Sequence, residues 1–284
     1  MMQDYIKKIV TACSLSKQEA IWLLEHICQE KYTTLLIKNL TPEQELLLTT
    51  YLDQIKKENK PLAYIIGWVP FLNLKINVRP PILIPRPETE EWVNQIIKRL
   101  SAHKDEIKKI LDVGTGSGVI GLSLAQAFPQ ANVVALDIND QALQLAKENS
   151  KNNTLNNITF IKSNLFEKLE NQKFDLIVSN PPYIPENVSP SLDTSVLNWE
   201  DPDALFSGKE GLDLITKLLE KSYNHIRLNQ KLPFQLVIEI DKTHHEIIPA
   251  LASKHRLNCS IEKDLFGNYR TAWCIKKQQK PFNY

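Results

Sequence analysis

Hydrophobic positions in the first sixty residues fall in helical steps: Ala20-Ile21, Leu23-Leu24 and Ile27-Cys28, then Leu46-Leu47-Leu48, Leu52 and Ile55. Thr41-Pro42-Glu43 has the form of a helix start with proline at its first position. Residues 1–60 therefore predict a small helical domain. Over 61–87 the pattern changes. Leu72-Asn73-Leu74-Lys75-Ile76-Asn77-Val78 alternates apolar and polar, and Pro70, Pro80, Pro81, Pro85 and Pro87 punctuate the stretch. That predicts a strand hairpin and an extended linker. From 88 to 284 strands and helices alternate: strands at 107–113, 132–136, 158–161, 174–178, 235–240 and 270–276, helices at 120–128, 141–151 and 215–226. Such alternation predicts an α/β domain, a parallel sheet with helices on both faces. No internal repeat or low-complexity tract interrupts it.

Composition narrows the class. A chain of 284 residues with 43% hydrophobic and 24% charged residues reads as soluble and globular. Its formal charge of +1 gives no overall field toward nucleic acid or acidic membrane. No signal-peptide core and no apolar run of membrane-spanning length is found, so a cytoplasmic location is expected. Cys13, Cys28, Cys259 and Cys274 lack metal or redox spacing, and His244-His245 has no partner ligands nearby. Reduced core thiols, a surface histidine pair and no metal site are expected.

The densest signal is Asp112-Val113-Gly114-Thr115-Gly116-Ser117-Gly118, which with Gly121 gathers four of the chain's eight glycines. Glycine lets the backbone turn tightly from strand to helix and lets a ligand approach the main chain. The G-x-G-x-G spacing differs from the dinucleotide fingerprint, and Asp112 inside the strand would repel a pyrophosphate. It suits a cofactor with an amino-acid tail, whose ammonium Asp112 engages through bridging groups unless it simply holds the loop. About twenty residues on, Val133-Val134-Ala135-Leu136-Asp137 ends in a carboxylate placed to grip two ribose hydroxyls. These features favour S-adenosylmethionine over NAD. Asn164-Leu165, after the next strand, offers a polar group to an adenine edge and an apolar one to its face; Asn164 as a turn former is equally consistent.

Ser179-Asn180-Pro181-Pro182-Tyr183 closes the apolar run 174–178. Two prolines make a rigid loop mouth, which on its own is also the form of a plain turn. After the glycine loop its chemistry becomes specific. The nitrogen of an amide or exocyclic amine is a poor nucleophile because its lone pair is delocalised. The Asn180 side-chain oxygen and the Pro181 carbonyl offer two acceptors for the two hydrogens of one NH2 group, and Tyr183 has the shape to cover the planar group. Methyl transfer from a sulfonium then needs positioning and electrostatics rather than a general base.

These motifs resemble the class I methyltransferases acting on planar NH2 nitrogens. Leu83-Ile84-Pro85-Arg86-Pro87-Glu88-Thr89-Glu90, Glu200-Asp201-Pro202-Asp203-Ala204-Leu205 with Gly208 and Gly211-Leu212, Glu239, and Asp264-Leu265-Phe266-Gly267-Asn268-Tyr269-Arg270 are similar to the peptide-chain release factor glutamine methyltransferases, the HemK or PrmC family. The resemblance covers almost the whole chain. It implies a Rossmann-like class I methyltransferase domain with a mostly parallel seven-stranded sheet. The implied reaction is methylation of the Gly-Gly-Gln glutamine at N5 in a class 1 release factor, with the helical domain gripping that factor. By the match Asn180, Pro181, Pro182 and Tyr183 hold the glutamine. Gly114, Thr115, Gly116, Ser117, Gly118, Asp137, Leu165 and Asn180 hold the cofactor by the same match, while Asp112 and Asn164 are cofactor candidates by their own chemistry. Arg86 and Glu88 are candidate substrate residues; with Glu90 they order a lid over the cofactor or simply favour a helix N-terminus. A monomer with no stable nucleic-acid binding is expected.

The chain departs from the family at Asn164, where an acidic residue is usual, at neighbouring Leu165, at Pro70 before Phe71, and in the absence of a glycine pair near Leu228-Asn229-Gln230-Lys231. Glu200 is expected in a solvated acidic loop or along the substrate channel, and Lys276-Lys277-Gln278-Gln279-Lys280 as a frayed basic tail. The alternatives are a methyltransferase for a ribosomal-protein glutamine or a nucleic-acid exocyclic amine, and a binding module without catalysis. A nucleic-acid enzyme would show a basic stripe with aromatics, which this chain lacks.

Overall fold

The computed structural model describes residues 2–187 and 192–277. In chain order it contains α1 (Met2–Cys13), α2 (Lys17–Cys28), α3 (Tyr32–Leu35), α4 (Pro42–Glu58), α5 (Leu62–Ile66), β1 (Trp68–Phe71) and β2 (Leu74–Asn77). Then come α6 (Pro87–Arg99), β3 (Lys109–Val113), α7 (Val119–Ala127), β4 (Asn132–Asp137), α8 (Asp140–Asn152), β5 (Ile158–Lys162) and β6 (Leu176–Ser179). The chain finishes with α9 (Thr194–Trp199), α10 (Asp213–His225), β7 (Leu236–Glu239), α11 (Ile247–Lys254), β8 (Leu257–Lys263) and β9 (Tyr269–Lys276). Two compact units result, Met1–Trp68 with Leu192–Glu200, and Val69–Ser191 with Asp201–Tyr284.

The first unit is helical because its apolar residues return to one face. Ile9, Leu23, Leu24, Leu35 and Leu48 meet in its core. Two capping boxes set the register. Ser16 and Glu19 exchange hydrogen bonds at the start of α2, and Thr41 and Gln44 do so ahead of Pro42, the helix start expected from the sequence. Far along the chain, α9 joins this unit, where Trp199 Nε1 donates to the Glu58 carbonyl at 2.9 Å beneath Lys60.

The second unit is built on one sheet of order β5-β4-β3-β6-β7-β9-β8. β3, β4, β5, β6 and β7 run parallel, and β9 pairs antiparallel with β7 and β8. This is the Rossmann-like α/β class expected. β6 and β7 are buried on every residue, which is why they read as continuous apolar runs rather than alternations. The buried Asp175 carboxylate accepts the amides of Lys108 and Lys109 at 2.9 and 2.8 Å and the Arg227 guanidinium at 2.7 Å, so one side chain aligns the starts of β3 and β6. The β1–β2 hairpin turns at Leu72, whose amide donates to Glu90 at 2.8 Å. Buried Asn149 of α8 ties this hairpin to the glycine turn, donating to the carbonyls of Asn77 and Ser117 at 3.0 and 2.9 Å.

Several expectations change. The sequence pattern showed six strands of the sheet; β8 escaped because its burial only partly alternates and its polar residues face out at the sheet edge. His244 is buried, not at the surface: a 3-10 turn over Lys242–His244 folds it inward, where Nε2 meets the Glu210 carbonyl at 2.9 Å, while His245 stacks on Tyr269. Glu200 is buried rather than solvated. Lys276 ends β9 with its ammonium on the Tyr223 and Ile226 carbonyls, while residues 278–280 of the expected basic tail lie outside the described residues. Of the cysteines only Cys274 is a core thiol; the other three are partly buried, and all four are free. Among the described residues no helix is long and apolar enough to cross a membrane.

Ile177, fully buried in β6 between β3 and β7, tests this core. Ile177→Ala is expected to lower the stability of this unit by about 2–5 kcal/mol and Ile177→Val by about 0.5–1.5 kcal/mol, read by denaturant unfolding.

Candidate active site

The parallel strands deliver their carboxyl ends to one side, and the sheet order reverses at β3, with β4 on one flank and β6 on the other. A cavity of about 420 Å³ opens there, walled by Gly114, Gly116, Asp137, Asn164, Leu165 and Asn180, among others. A larger, open hollow on β8 and β9 is lined by Arg99 and Trp273, but that arginine is committed to Glu262 and stacked on Trp273. The chemistry collects in the smaller cavity.

The glycine turn is held from below. Gly114 and Thr115 both donate their amides to the Leu136 carbonyl, at 2.9 and 2.8 Å, and Gly118 donates to Thr115 at 2.8 Å. Gly114 and Gly116 have φ of +72° and +55°, and a Cβ on either would meet no atom within 4 Å. Their missing side chains leave room at the cavity wall for a ligand to lie against the backbone. Gly121 does a different job: a Cβ there would lie 2.9 Å from the Asp112 carboxylate.

Asp112 is fully buried behind the turn. Its Oδ2 accepts from Thr115 Oγ1 at 2.6 Å and from the Gly121 amide at 2.9 Å, so it braces both ends of the loop, while Oδ1 has no hydrogen-bond partner. Burial pushes its pKa up to about 7. Asp137, at the end of β4, accepts the Gly116 amide at 2.8 Å and the Asn139 amide at 2.9 Å. Burial raises its pKa against the pull of those amides. Each of its oxygens keeps a lone pair for a vicinal diol.

The loop after β6 is fixed just as closely. Ser179 Oγ donates to the Val113 carbonyl at 2.7 Å, and Asn180 Nδ2 donates to Thr89 Oγ1 at 3.2 Å. Tyr183 donates its hydroxyl to Glu239 at 3.0 Å, and its pKa is driven up by burial and by that carboxylate. Gly211 lies directly against the loop: with φ of +71°, a Cβ would fall 2.1 Å from the Tyr183 carbonyl oxygen.

Of the residues singled out in the sequence, Gly114, Gly116, Asp137, Asn164, Leu165, Asn180, Pro181 and Pro182 line this one cavity. Asp112, Thr115, Ser117 and Gly118 shape the turn without lining it. Tyr183 is drawn to Glu239, and Arg86 and Glu88 sit at the start of α6, outside the cavity wall. Asn164 turns its amide NH2 toward Glu167 at 3.2 Å, and Leu165 beside it has a φ of +49°. Sequence reasoning missed Ile138, Asn139, Asp213 and Lys217 in the wall, and quoted Asp201 and Asp203 only as part of the family-like acidic run. Ile138 carried a signal, being an apolar residue directly after the strand-end aspartate; the structure leaves it 62% exposed. The others come together only through folding.

A family model described as "Methyltransferase small domain" matches residues 94–196. The release factor glutamine methyltransferase of Lactococcus lactis subsp. lactis (strain IL1403) is 37% identical over 254 residues, 89% of this chain and 91% of its own. The chain belongs to the release factor glutamine methyltransferase family. The family's Flavobacterium psychrophilum member is 39% identical over 219 residues, 75% of each chain. The T. Thermophilus 16S rRNA N2 methyltransferase RsmC, solved in complex with AdoMet and guanosine, matches with a TM-score of 0.51 and 17% identity over 74% of this chain and 50% of its own. That likeness shows the class I methyltransferase fold. Membership in the glutamine methyltransferase family bears out the resemblance drawn from the proline-rich linker and the loop after β6.

Two results are expected. Gly114→Ala places a methyl group at the cavity wall in a left-handed conformation, so S-adenosylmethionine affinity by calorimetry should fall about tenfold or more while the circular dichroism spectrum stays unchanged. Asp112 has a folded pKa of about 7 against an ordinary 3.8, so the native state holds a proton that the unfolded chain releases. Its contribution to stability is complete below the lower value and is lost as pH rises through the upper one. Asp112→Asn removes that titration, so the wild-type advantage in melting temperature over this variant should shrink between about pH 4 and about pH 7 and change little above that.

Proposed function

We propose that this protein transfers the methyl group of S-adenosylmethionine to the side-chain amide nitrogen, N5, of the glutamine in the Gly-Gly-Gln motif of a class 1 release factor. The observation that carries the reading is Asn180: it stands in the cavity wall beside the glycine turn with its NH2 engaged by Thr89, which leaves its carbonyl oxygen as the acceptor for a substrate amide.

The residues present fit the cofactor. Gly114 and Gly116 leave the backbone open, Asp137 keeps lone pairs for the ribose hydroxyls, and Asn164 and Leu165 close the far wall. The charge of the wall fits as well. Asp137, Asp201, Asp203 and Asp213 stand against Lys217, a net negative lining that favours a sulfonium and repels a phosphodiester backbone. That balance supports a protein substrate over a nucleic acid. When bound, S-adenosylmethionine supplies an already activated methyl group on a sulfonium.

The chain's own residues then position the nucleophile. Asn180 Oδ1 and the Pro181 carbonyl, held rigid by the two prolines, accept the two hydrogens of the glutamine NH2. Accepting both orients the nitrogen lone pair along the line of displacement and stabilises the positive charge that grows there as the bond forms. Pro182 adds apolar wall that excludes water. The methylated amide nitrogen is strongly acidic and gives its extra proton to solvent water at the cavity mouth, so no buried base is needed. The helical unit supplies the grip on the release factor, and the enzyme works as a cytoplasmic monomer.

The test is transfer of labelled methyl from S-adenosylmethionine to a purified release factor, with its Gly-Gly-Ala variant and total RNA alongside. Label on the wild-type factor alone supports the reading; label on the Gly-Gly-Ala variant or on RNA overturns it at the substrate. Asn180→Ala should lower kcat by about a hundredfold or more.

A further inference from the structure

Glu239 ends β7 fully buried and belongs to neither the cofactor wall nor the substrate acceptors. Its Oε2 accepts from Thr89 Oγ1 at 2.7 Å and Trp92 Nε1 at 2.8 Å, and its Oε1 accepts from the Tyr183 hydroxyl at 3.0 Å. Thr89 and Trp92 lie in α6, Tyr183 in the loop after β6. One carboxylate therefore joins the helix that follows the proline-rich linker to the reaction loop.

The direction of each bond matters. An asparagine amide has a donor end and an acceptor end of nearly equal shape, so it can turn over unless its neighbours forbid it. Thr89 has one hydroxyl proton, and Glu239, an acceptor, takes it. The Thr89 oxygen then has only lone pairs to offer the Asn180 side chain, so the NH2 end of Asn180 faces it, at 3.2 Å. The carbonyl end is left for the cavity. With the amide reversed, two oxygen acceptors would face each other at Thr89, and an NH2 donor would meet the substrate NH2.

We propose that Thr89 and Glu239 are positioning residues for methyl transfer, fixing the Asn180 amide so that its oxygen accepts from the substrate nitrogen. This rests on the reading of Asn180 given above. Neither residue touches the reacting atoms; Glu239 orients the Thr89 hydroxyl, and Thr89 orients Asn180. Thr271 and Ala272 of β9 pair with Glu239 and Ile238, which fixes the end of β7 from the side opposite β6.

The test compares Thr89→Val with Thr89→Ser on the full chain, using a release factor as methyl acceptor. Val keeps the shape and removes the hydroxyl; Ser keeps the hydroxyl. The Val variant should lose about tenfold or more in kcat, with S-adenosylmethionine affinity by calorimetry unchanged, and the Ser variant should recover most of the rate. Should the Val variant fail to fold, Thr89→Ala against Thr89→Ser makes the same comparison. Wild-type kcat without the hydroxyl, equal losses in the Val and Ser variants, or a loss confined to cofactor affinity would each overturn the proposal. Wild-type enzyme that leaves the factor's glutamine unlabelled instead overturns the reading of Asn180 itself, so the two failures are distinct.

Discussion

A buried carboxylate is stable only when donors surround it, and the methyltransferase unit uses that requirement to lock its loops. Asp175 gathers two strand-start amides and an arginine, Asp112 gathers both ends of the glycine turn, and Glu239 gathers a threonine, a tryptophan and a tyrosine from separate elements. Burial raises the pKa of Asp112 and Glu239, and the donors around each carboxyl pull it back down. Arg270 lies close enough to Glu239 to help hold its charge while it hydrogen-bonds Asp264. The same arginine thus braces the β8–β9 hairpin through Asp264, whose carboxylate also accepts the amides of Phe266 and Asn268.

With the loops locked, the cavity needs little chemistry of its own. Its glycines leave the backbone open and its aspartates give the wall a negative charge; in the proposed reaction the loop after β6 supplies the acceptors. This division suits a reaction whose donor arrives activated: the barrier is lowered by orientation and by a negative environment around growing positive charge.

Much of this architecture was legible in the chain. Buried parallel strands advertise themselves as apolar runs, so β3, β4, β6 and β7 were found; edge strand β5 was found through its β-branched and aromatic run Ile158-Thr159-Phe160-Ile161, and capping residues announced α4. The glycine turn and Asp137 were readable because a tight strand-to-helix turn and a strand-end carboxylate obey local rules. β8 was missed because an edge strand with mixed burial loses its period. His244 was misplaced because a short 3-10 turn has no hydrophobic signature.

The sequence alone determined the fold class, the glycine turn with its strand-end aspartate, and the rigid loop beginning at Asn180, since each follows from neighbours within a few residues. Only the tertiary structure decided which way Asn180 presents its amide, where the Tyr183 hydroxyl goes and which donors Glu239 gathers. Those depend on side chains 91, 56 and 147 residues apart along the chain, brought within hydrogen-bond reach by sheet order and helix packing, and no local pattern encodes such a distance.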